Sequence, residues 1–596
     1  MSWEKNGRAV IHALLYACGH ALFYAGWRCG DDFFEKLDFH GLVNNWRRIP
    51  SCGDLELLRR GTSGCRLVGM RFLTRMLPLV ACVMCLGACA PERERADLMF
   101  IQSAEPETLD PALTSDQVSM RLSTALFEGL CRGNQEGKPE PGMAERWEVS
   151  EDRKSYTFHL RTGITWTDGR PVVAQDFVES WKRALDPATG ADYASLMHVI
   201  RGAKAYTEGT EKDFSRVGVR AVDEKTLVVD LENPTPYFID LTSFVTLAPV
   251  PVATIQKHGT AWIKPGNIVS NGAYVLEEWL LDDRIRLSKN PHYWDAENVG
   301  METVEIKPVQ DANTALSYFH TGQCDLMMDK GMVPPTLTLK LKQQPWFHTG
   351  PFLGTWFIRI NVTRPPFDDA RVRQAFALAV DKKRIVEKIT RLGEPLARGV
   401  TPPGTGQDYQ PPPGLDMNLE EAQRLMAEAG FPGGKGFPRI EYLYIPLPEE
   451  RNIAIELQAM WQEALGVTVN LVKQEQKVWL KSMRELDYHL CRSSWVGDYN
   501  DPSTFLDLFT SGNGQNRTGW ASPKYDGLIG DAAREADIVK RNGIFQEAER
   551  TLIREESVVI PVRHYVGVQF YHADRLEGVQ ANLIDDHPFR CMRWKK

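Results

Sequence analysis

The chain has 596 residues, 43% hydrophobic and 25% charged, with a formal net charge of −8. This is the balance of a water-soluble globular protein of several domain-sized units; it excludes a mainly disordered chain, a collagen and a polytopic membrane protein. The acidic balance offers nucleic acid no broad basic footprint, and sixteen Trp supply large aromatic surfaces of the kind that line apolar pockets.

The first quarter reads as processing signal rather than fold. Seven of the eleven Cys lie at or before Cys89, and only Cys131, Cys324, Cys491 and Cys591 follow. Met70, Arg71 and Arg75 form a short basic start, and Met76–Ala88 is an uncharged run of 13 residues ending in Leu86-Gly-Ala-Cys89. That run has the length of a signal-peptide core and is too short to span a bilayer. Residues 70–88 therefore read as a lipoprotein signal peptide, with Cys89 as the lipidated residue. Cys82 and Cys85 have the spacing of half a metal site, but no second pair or His completes one. Residues 1–69 read as an upstream extension from a misplaced start, translation beginning at Met70. The rival is Ala9–Trp27, 19 residues without Asp, Glu, Lys or Arg, a weak membrane span because it holds His12, His20 and two Gly. Beyond residue 88 the 70 basic and 78 acidic residues fall to 59 and 71, net −12. The mature part is an acidic body on a lipid leash, and stable anchoring takes two or more acyl chains.

The rest mixes short strands with amphipathic helices, an α/β pattern. Tyr156–Leu160 is predicted as a strand, and Ala174–Leu185 as a helix with Phe177, Val178, Trp181 and Leu185 on one face. Pro402-Pro-Gly404 and Pro411–Gly414 bracket a loop. Asn418 is the predicted N-cap of a helix, with Glu421 three residues on and Gly430 past its end. Ile453–Leu465 is predicted as a second helix, stopped by Gly466 and followed by a strand at Val467–Val472. No solenoid-period repeat is present.

Catalytic motifs are absent from the sequence: there is no H-E-x-x-H and no G-x-S-x-G. Gly430–Gly436 resembles a phosphate loop only superficially, lacking the Gly-Lys-Ser/Thr ending, and reads as a turn. The 13 His have no ligand spacing. The expectation is a binding protein rather than an enzyme, without cofactor or metal.

Eight segments then occur in order: Glu105–Ala112 (EPETLDPA), Leu126–Leu130 (LFEGL), Pro141–Trp147 (PGMAERW), Trp166–Val172 (WTDGRPV) leading into Ala174–Trp181 (AQDFVESW), Ser270–Tyr274 (SNGAY), Pro366–Arg373 (PFDDARVR) and Trp495–Asn500 (WVGDYN). Each is weak alone. In register over 97–596 they resemble the OppA-type oligopeptide-binding proteins of ABC importers. The resemblance implies a two-lobed clamshell of the periplasmic-binding-protein kind with an extra inserted domain. Lobe I would be 89–127, 254–354 and 567–596, the insert 128–253 and lobe II 355–566. It implies an oligopeptide held as an extended strand by backbone hydrogen bonds, which read no side chains. The partners would be ABC permease subunits and a bacterial membrane through the lipid anchor, the protein being a monomer in the cell envelope. The alternative is a peptide-sensing or orphan lipoprotein, for murein peptide or another ligand, without a transport role.

The resemblance also implies site residues. A buried peptide ammonium needs a counter-ion, and the matching position is Asp498. From the residues alone Asp498 could equally cap the turn before Asn500-Asp501-Pro502. Trp495 and Tyr499 flank it as pocket walls or core. Ser494 and Val496 would offer backbone groups. Ser115, Asp116 and Gln117 would face them across the cleft, with Tyr193 touching the ligand and Trp479 lining a pocket. Arg492, and with it Arg484, would meet the peptide carboxylate or else be surface cations. Departures fall at Thr390 and Glu450, where relatives can carry a Lys and a His, and at Gly354 and Val496, where some carry a disulfide.

Overall fold

A computed structural model describes residues 94–596; the readings of residues 1–69, the 70–88 signal and Cys89 lie outside them. The strands, in chain order, are β1 (Leu98–Gln102), β2 (Cys131–Gly133), β3 (Pro139–Pro141), β4 (Ala144–Val149), β5 (Ser155–Leu160), β6 (Val219–Ala221), β7 (Thr226–Asp230), β8 (Tyr274–Leu280) and β9 (Arg284–Lys289). They continue as β10 (Thr303–Pro308), β11 (Leu326–Met328), β12 (Phe347–Ile360), β13 (Ile440–Tyr444), β14 (Val469–Lys473), β15 (Leu490–Val496), β16 (Val559–Phe570), β17 (Leu576–Glu577) and β18 (Arg593–Trp594).

Ten of them form one mixed sheet in the order β14-β13-β15-β12-β16-β11-β1-β10-β9-β8. The sheet spans both halves of a two-lobed α/β fold because two long strands run from one half to the other. Through its C-terminal part β12 pairs with β15, and through its whole length with β16, whose far end pairs with β11. Register shifts at Pro351/Thr355 and Trp356/Phe357 interrupt the β12–β16 ladder where it passes between halves. One hydrophobic core gathers around β1, β8, β9 and β10; others lie around helix Pro448–Leu465 and around the helices of 503–555.

A separate four-stranded sheet, β4-β5-β7-β6, shares the first core. Helix Ala174–Leu185 packs there as predicted: Phe177, Trp181 and Leu185 are buried, and Trp181 Nε1 donates to Leu247 O at 2.8 Å. The predicted strand at Tyr156 begins one residue earlier, at Ser155.

Asn418 caps helix Leu419–Glu428, its Oδ1 accepting from Glu421 N at 3.1 Å. The Glu421 carboxylate turns to Arg424 instead of back to the cap. The next helix starts at Pro448, five residues before the periodicity becomes apolar, because Pro at the first helical position and two Glu in the first turn suit a helix start. It ends at Gly466, φ 71°, and the following strand begins at Val469. Gly430–Gly436 is a turn packed on that helix end: a Cβ on Gly434 would lie 2.5 Å from Gly466 O. The loop between the two proline runs carries a short helix, Thr405–Asp408.

Cys131, Cys324, Cys491 and Cys591 are all buried free thiols. Gly354 and Val496 face each other directly in the β12–β15 ladder, and a Cβ on Gly354 would crowd the Tyr565 ring at 2.7 Å. Among the described residues no His, Cys, Asp or Glu cluster could hold a metal, and no helix is long and apolar enough to cross a membrane.

Candidate ligand-binding cleft

Strand β15 leaves the sheet at Val496 and turns at Gly497, whose N–H donates to Leu353 O at 2.7 Å. Asp498 follows, its N–H held by Thr504 Oγ1 at 3.1 Å. Capping of the next turn falls to Asp501, not Asp498: Asp501 Oδ1 accepts from Ser503 N at 3.0 Å, and Arg541 grips both its oxygens at 2.6 and 2.9 Å. The Asp498 carboxyl is thus left for the cleft. Burial pushes it up to about 6, opposed by a hydrogen bond from the Tyr193 hydroxyl, and no cation among the described residues contributes to the shift.

Two cavities meet at this residue. The larger, about 1020 Å³, extends past Asp192, Asn233, Trp495 and Asp507; the smaller, about 390 Å³, past Gln117, Arg121, Phe352 and Val496. Ser115, Tyr193, Asp498 and Tyr499 line both. Tyr237 stacks on Tyr499 with ring centroids 4.5 Å apart and planes 10° from parallel, joining the 128–253 segment to the turn after β15. Trp495 Nε1 and Asp507 Oδ1, both in the larger cavity's wall, are buried without a protein partner. Such groups call for water or ligand.

Beside the cavities β15 shows an open edge. On one side Ser494, Trp495 and Val496 pair with Trp356, Thr355 and Gly354 of β12. On the other, β13 reaches only Leu490 and Cys491, leaving Arg492–Val496 without a strand partner there among the described residues. Exposed ladder groups of this kind can accept an added strand.

Of the residues singled out in the sequence, Ser115, Gln117, Tyr193, Trp495, Val496 and Asp498 line the cavities. Asp116 is the N-cap of helix Gln117–Leu126: its Oδ1 accepts from Ser119 N at 2.8 Å, while Oδ2 is buried without a partner. Trp479, Arg484 and Arg492 line neither cavity. Trp479 sits in a small core with Tyr488 and Cys491, its Nε1 donating to Cys491 Sγ at 3.0 Å. Arg484 is exposed on helix Gln476–Arg484. Arg492 is no surface cation: its Nε donates to Glu450 Oε1 at 2.8 Å, and the Trp356 indole supports the same carboxylate at 3.1 Å. Nearby, fully buried Arg563 pairs with Glu394 and Glu449.

Sequence reasoning missed Asp507 and Tyr237. Neither sits in a recognisable motif; only the packing of 503–545 against 192–237 brings them to the cavity.

The family described as bacterial extracellular solute-binding proteins, family 5 Middle, matches residues 138–517. The periplasmic oligopeptide-binding protein OppA of Escherichia coli strain K12 is 36% identical over 485 residues, 80% of this chain and 88% of that relative. The fold is also that of solved structures. A periplasmic oligopeptide-binding protein (OppAIV) from Borrelia burgdorferi superposes with a TM-score of 0.74 at 29% identity, covering 84% of this chain and all of that one. The Escherichia coli murein tripeptide-binding protein MppA gives 0.73 at 33% identity, covering 85% and 99%.

Proposed function

Because the chain belongs to the bacterial extracellular solute-binding proteins of family 5, we propose that it captures oligopeptides in the cell envelope and delivers them to an ABC permease. The observation that carries this reading is Asp498: a desolvated carboxyl on which no cation among the described residues acts, at the mouth of two cavities and at the end of an open strand edge. A peptide fits all three features. Its α-ammonium meets Asp498, its backbone pairs with the β15 edge at Ser494 and Val496, and its side chains enter the cavities. Ser115, Asp116 and Gln117 face it from the start of their helix, and Tyr193 orients the anchor carboxylate.

Arg492, with Trp479 beside it, is the proposed partner of the peptide's carboxylate for ligands long enough to reach it, in exchange for Glu450. Arg484 would serve only ligands extending to the surface. Lobe I would comprise residues 89–127, 254–354 and 567–596, with 128–253 inserted and 355–566 forming lobe II. The chain would act as a monomer, lipidated at Cys89; labelling with fatty acid, lost in Cys89→Ala, tests the anchor, and a wild type that takes no label refutes it.

The deciding experiment is calorimetry with free and N-acetylated tripeptides and tetrapeptides. Free peptides bind and acetylated ones bind about 10²-fold or more weaker, because the cation is gone. Equal binding of both forms removes Asp498 as the anchor.

A further inference from the structure

The larger cavity holds a second carboxyl that the anchoring of an ammonium does not use. Asp507 lies in the turn after the short helix Ser503–Leu506, and its Oδ1 is fully buried without a partner. Arg541, the cation whose charge acts on it, is committed to Asp501 through two hydrogen bonds. The other charges on the cavity wall do not compensate. Asp192, Glu232 and Asp498 add to the negative side; of the other bases, His198 is pushed toward its neutral form by burial, and Lys204 is two-thirds exposed with Glu208 at 3.8 Å.

The surroundings of Asp507 are those of a cation site rather than of a solvated acid. Tyr237, Tyr499 and Phe545 contribute aromatic surface, with the Arg541 guanidinium 4.6 Å from the Phe545 ring and 5.8 Å from that of Tyr237, and Leu508 and Ile529 present aliphatic surface. Aromatic faces attract cations, and aliphatic walls accept the methylene stem of a long basic side chain. A hydrophobic ligand side chain would satisfy the walls and leave Oδ1 unpaired; an acidic one would set two carboxylates together without a base.

We propose that this cavity is a side-chain pocket for a basic residue of the bound peptide, with Asp507 as counter-ion of its ammonium or guanidinium. The proposal rests on the peptide reading above and narrows it to peptides with Lys or Arg at the first or second position. Burial, with Asp501 adding to it and Arg541 opposing, pushes the Asp507 carboxyl up to about 7; a ligand cation is what would keep it ionised there.

The test titrates Ala-Ala-Ala, Lys-Ala-Ala, Ala-Lys-Ala and the two norleucine counterparts against the full chain. Norleucine keeps the stem and removes the charge. For at least one position lysine binds about tenfold or more tighter than norleucine, the scale of a desolvated charge pair. In Asp507→Asn that preference, measured on the same variant against norleucine and Ala-Ala-Ala, falls to within about twofold, and Asp507→Glu retains it. If norleucine equals or exceeds lysine at both positions while Ala-Ala-Ala binds, the pocket assignment is wrong and peptide capture stands. A lysine preference that survives in Asp507→Asn overturns the role of Asp507. Failure of all five peptides to bind the wild type overturns peptide capture and the pocket together.

Discussion

Asp498 acquires its capacity to hold a cation from what its neighbours withhold. Thr504 holds its backbone, Asp501 takes over the turn, and Tyr193 offers one hydrogen bond, too little to offset burial. Breaking a desolvated ion pair from one side costs about 3–5 kcal/mol. Asp498→Asn is therefore expected to weaken peptide binding roughly 10²–10³-fold. The loss should not add to that from N-acetylating the peptide, since both remove one interaction; additive losses in a double cycle would show two separate contacts. The ligand-free protein should respond in the opposite sense. An acid raised to about 6 when folded binds protons more tightly than in the unfolded chain. Its burial costs stability progressively as pH rises from the unfolded value near 4 through 6. Asp498→Asn should thus melt no lower than wild type at pH 7. Peptide affinity should fall as pH drops below 6, by up to about tenfold per unit, because the ammonium and the proton compete for one carboxylate; a flat profile from pH 7 to 5 in wild type would contradict this. At this scale the sequence was informative only where a motif spanned the residue. Asp498 stood in one. Asp507 is buried by a helix that follows it and by a stack from residue 237, and no local pattern announces either.

At the scale of elements, the strand carrying Arg492 to Val496 is built with different ends. Its last residues keep an open edge toward the cleft. Its beginning is sealed by β13 on the flank and by the Arg492–Glu450 pair, both side chains well buried. Glu450 comes from the first turn of helix Pro448–Leu465, the five residues that hydrophobic periodicity did not assign to it. Helix starts rich in Pro and Glu carry no apolar stripe, so their onset is read from capping chemistry instead. Glu450→Ala should cost about 3–5 kcal/mol of stability, since Arg492 would stay enclosed without its counter-ion. The double variant with Arg492→Ala should cost less than the two single variants together. Denaturant midpoints of the three proteins measure this, and strict additivity would mean that the pair is not coupled. Arg492→Ala should also lower affinity for some peptide lengths only, with C-terminal amidation imitating it for those lengths.

For the whole molecule, the two long strands β12 and β16 carry the chain from one half to the other, and the cavities lie where the two halves meet around Asp498 and Tyr193. A ligand that binds only the folded, assembled cleft stabilises it by mass action, by about 2.7 kcal/mol at a hundredfold excess over Kd. A library of di- to hexapeptides should raise the melting temperature for its better members; a folded protein indifferent to every member would contradict peptide capture. The α/β class and the order of the family segments were legible from sequence, because periodicity and punctuation are local. The ten-stranded sheet was not, because its pairings join residues far apart: Leu98 pairs with Val304, and Met327 with Phe570. The chain's end completes this half, Trp594 Nε1 donating to Asp97 O at 3.0 Å and Arg590 to Gly133 O. That fastening imposes an order in time. Strand β1 finds its sheet partners at residues 303–328, but the core beneath it is finished by Leu576, Phe589 and Met592, so a chain that emerges from its beginning leaves this half incompletely packed until its last residues arrive. A chain ending at Tyr571 should accordingly show fast proteolysis near its start and slow proteolysis within 361–558. Uniform resistance would mean that the late fastening is dispensable.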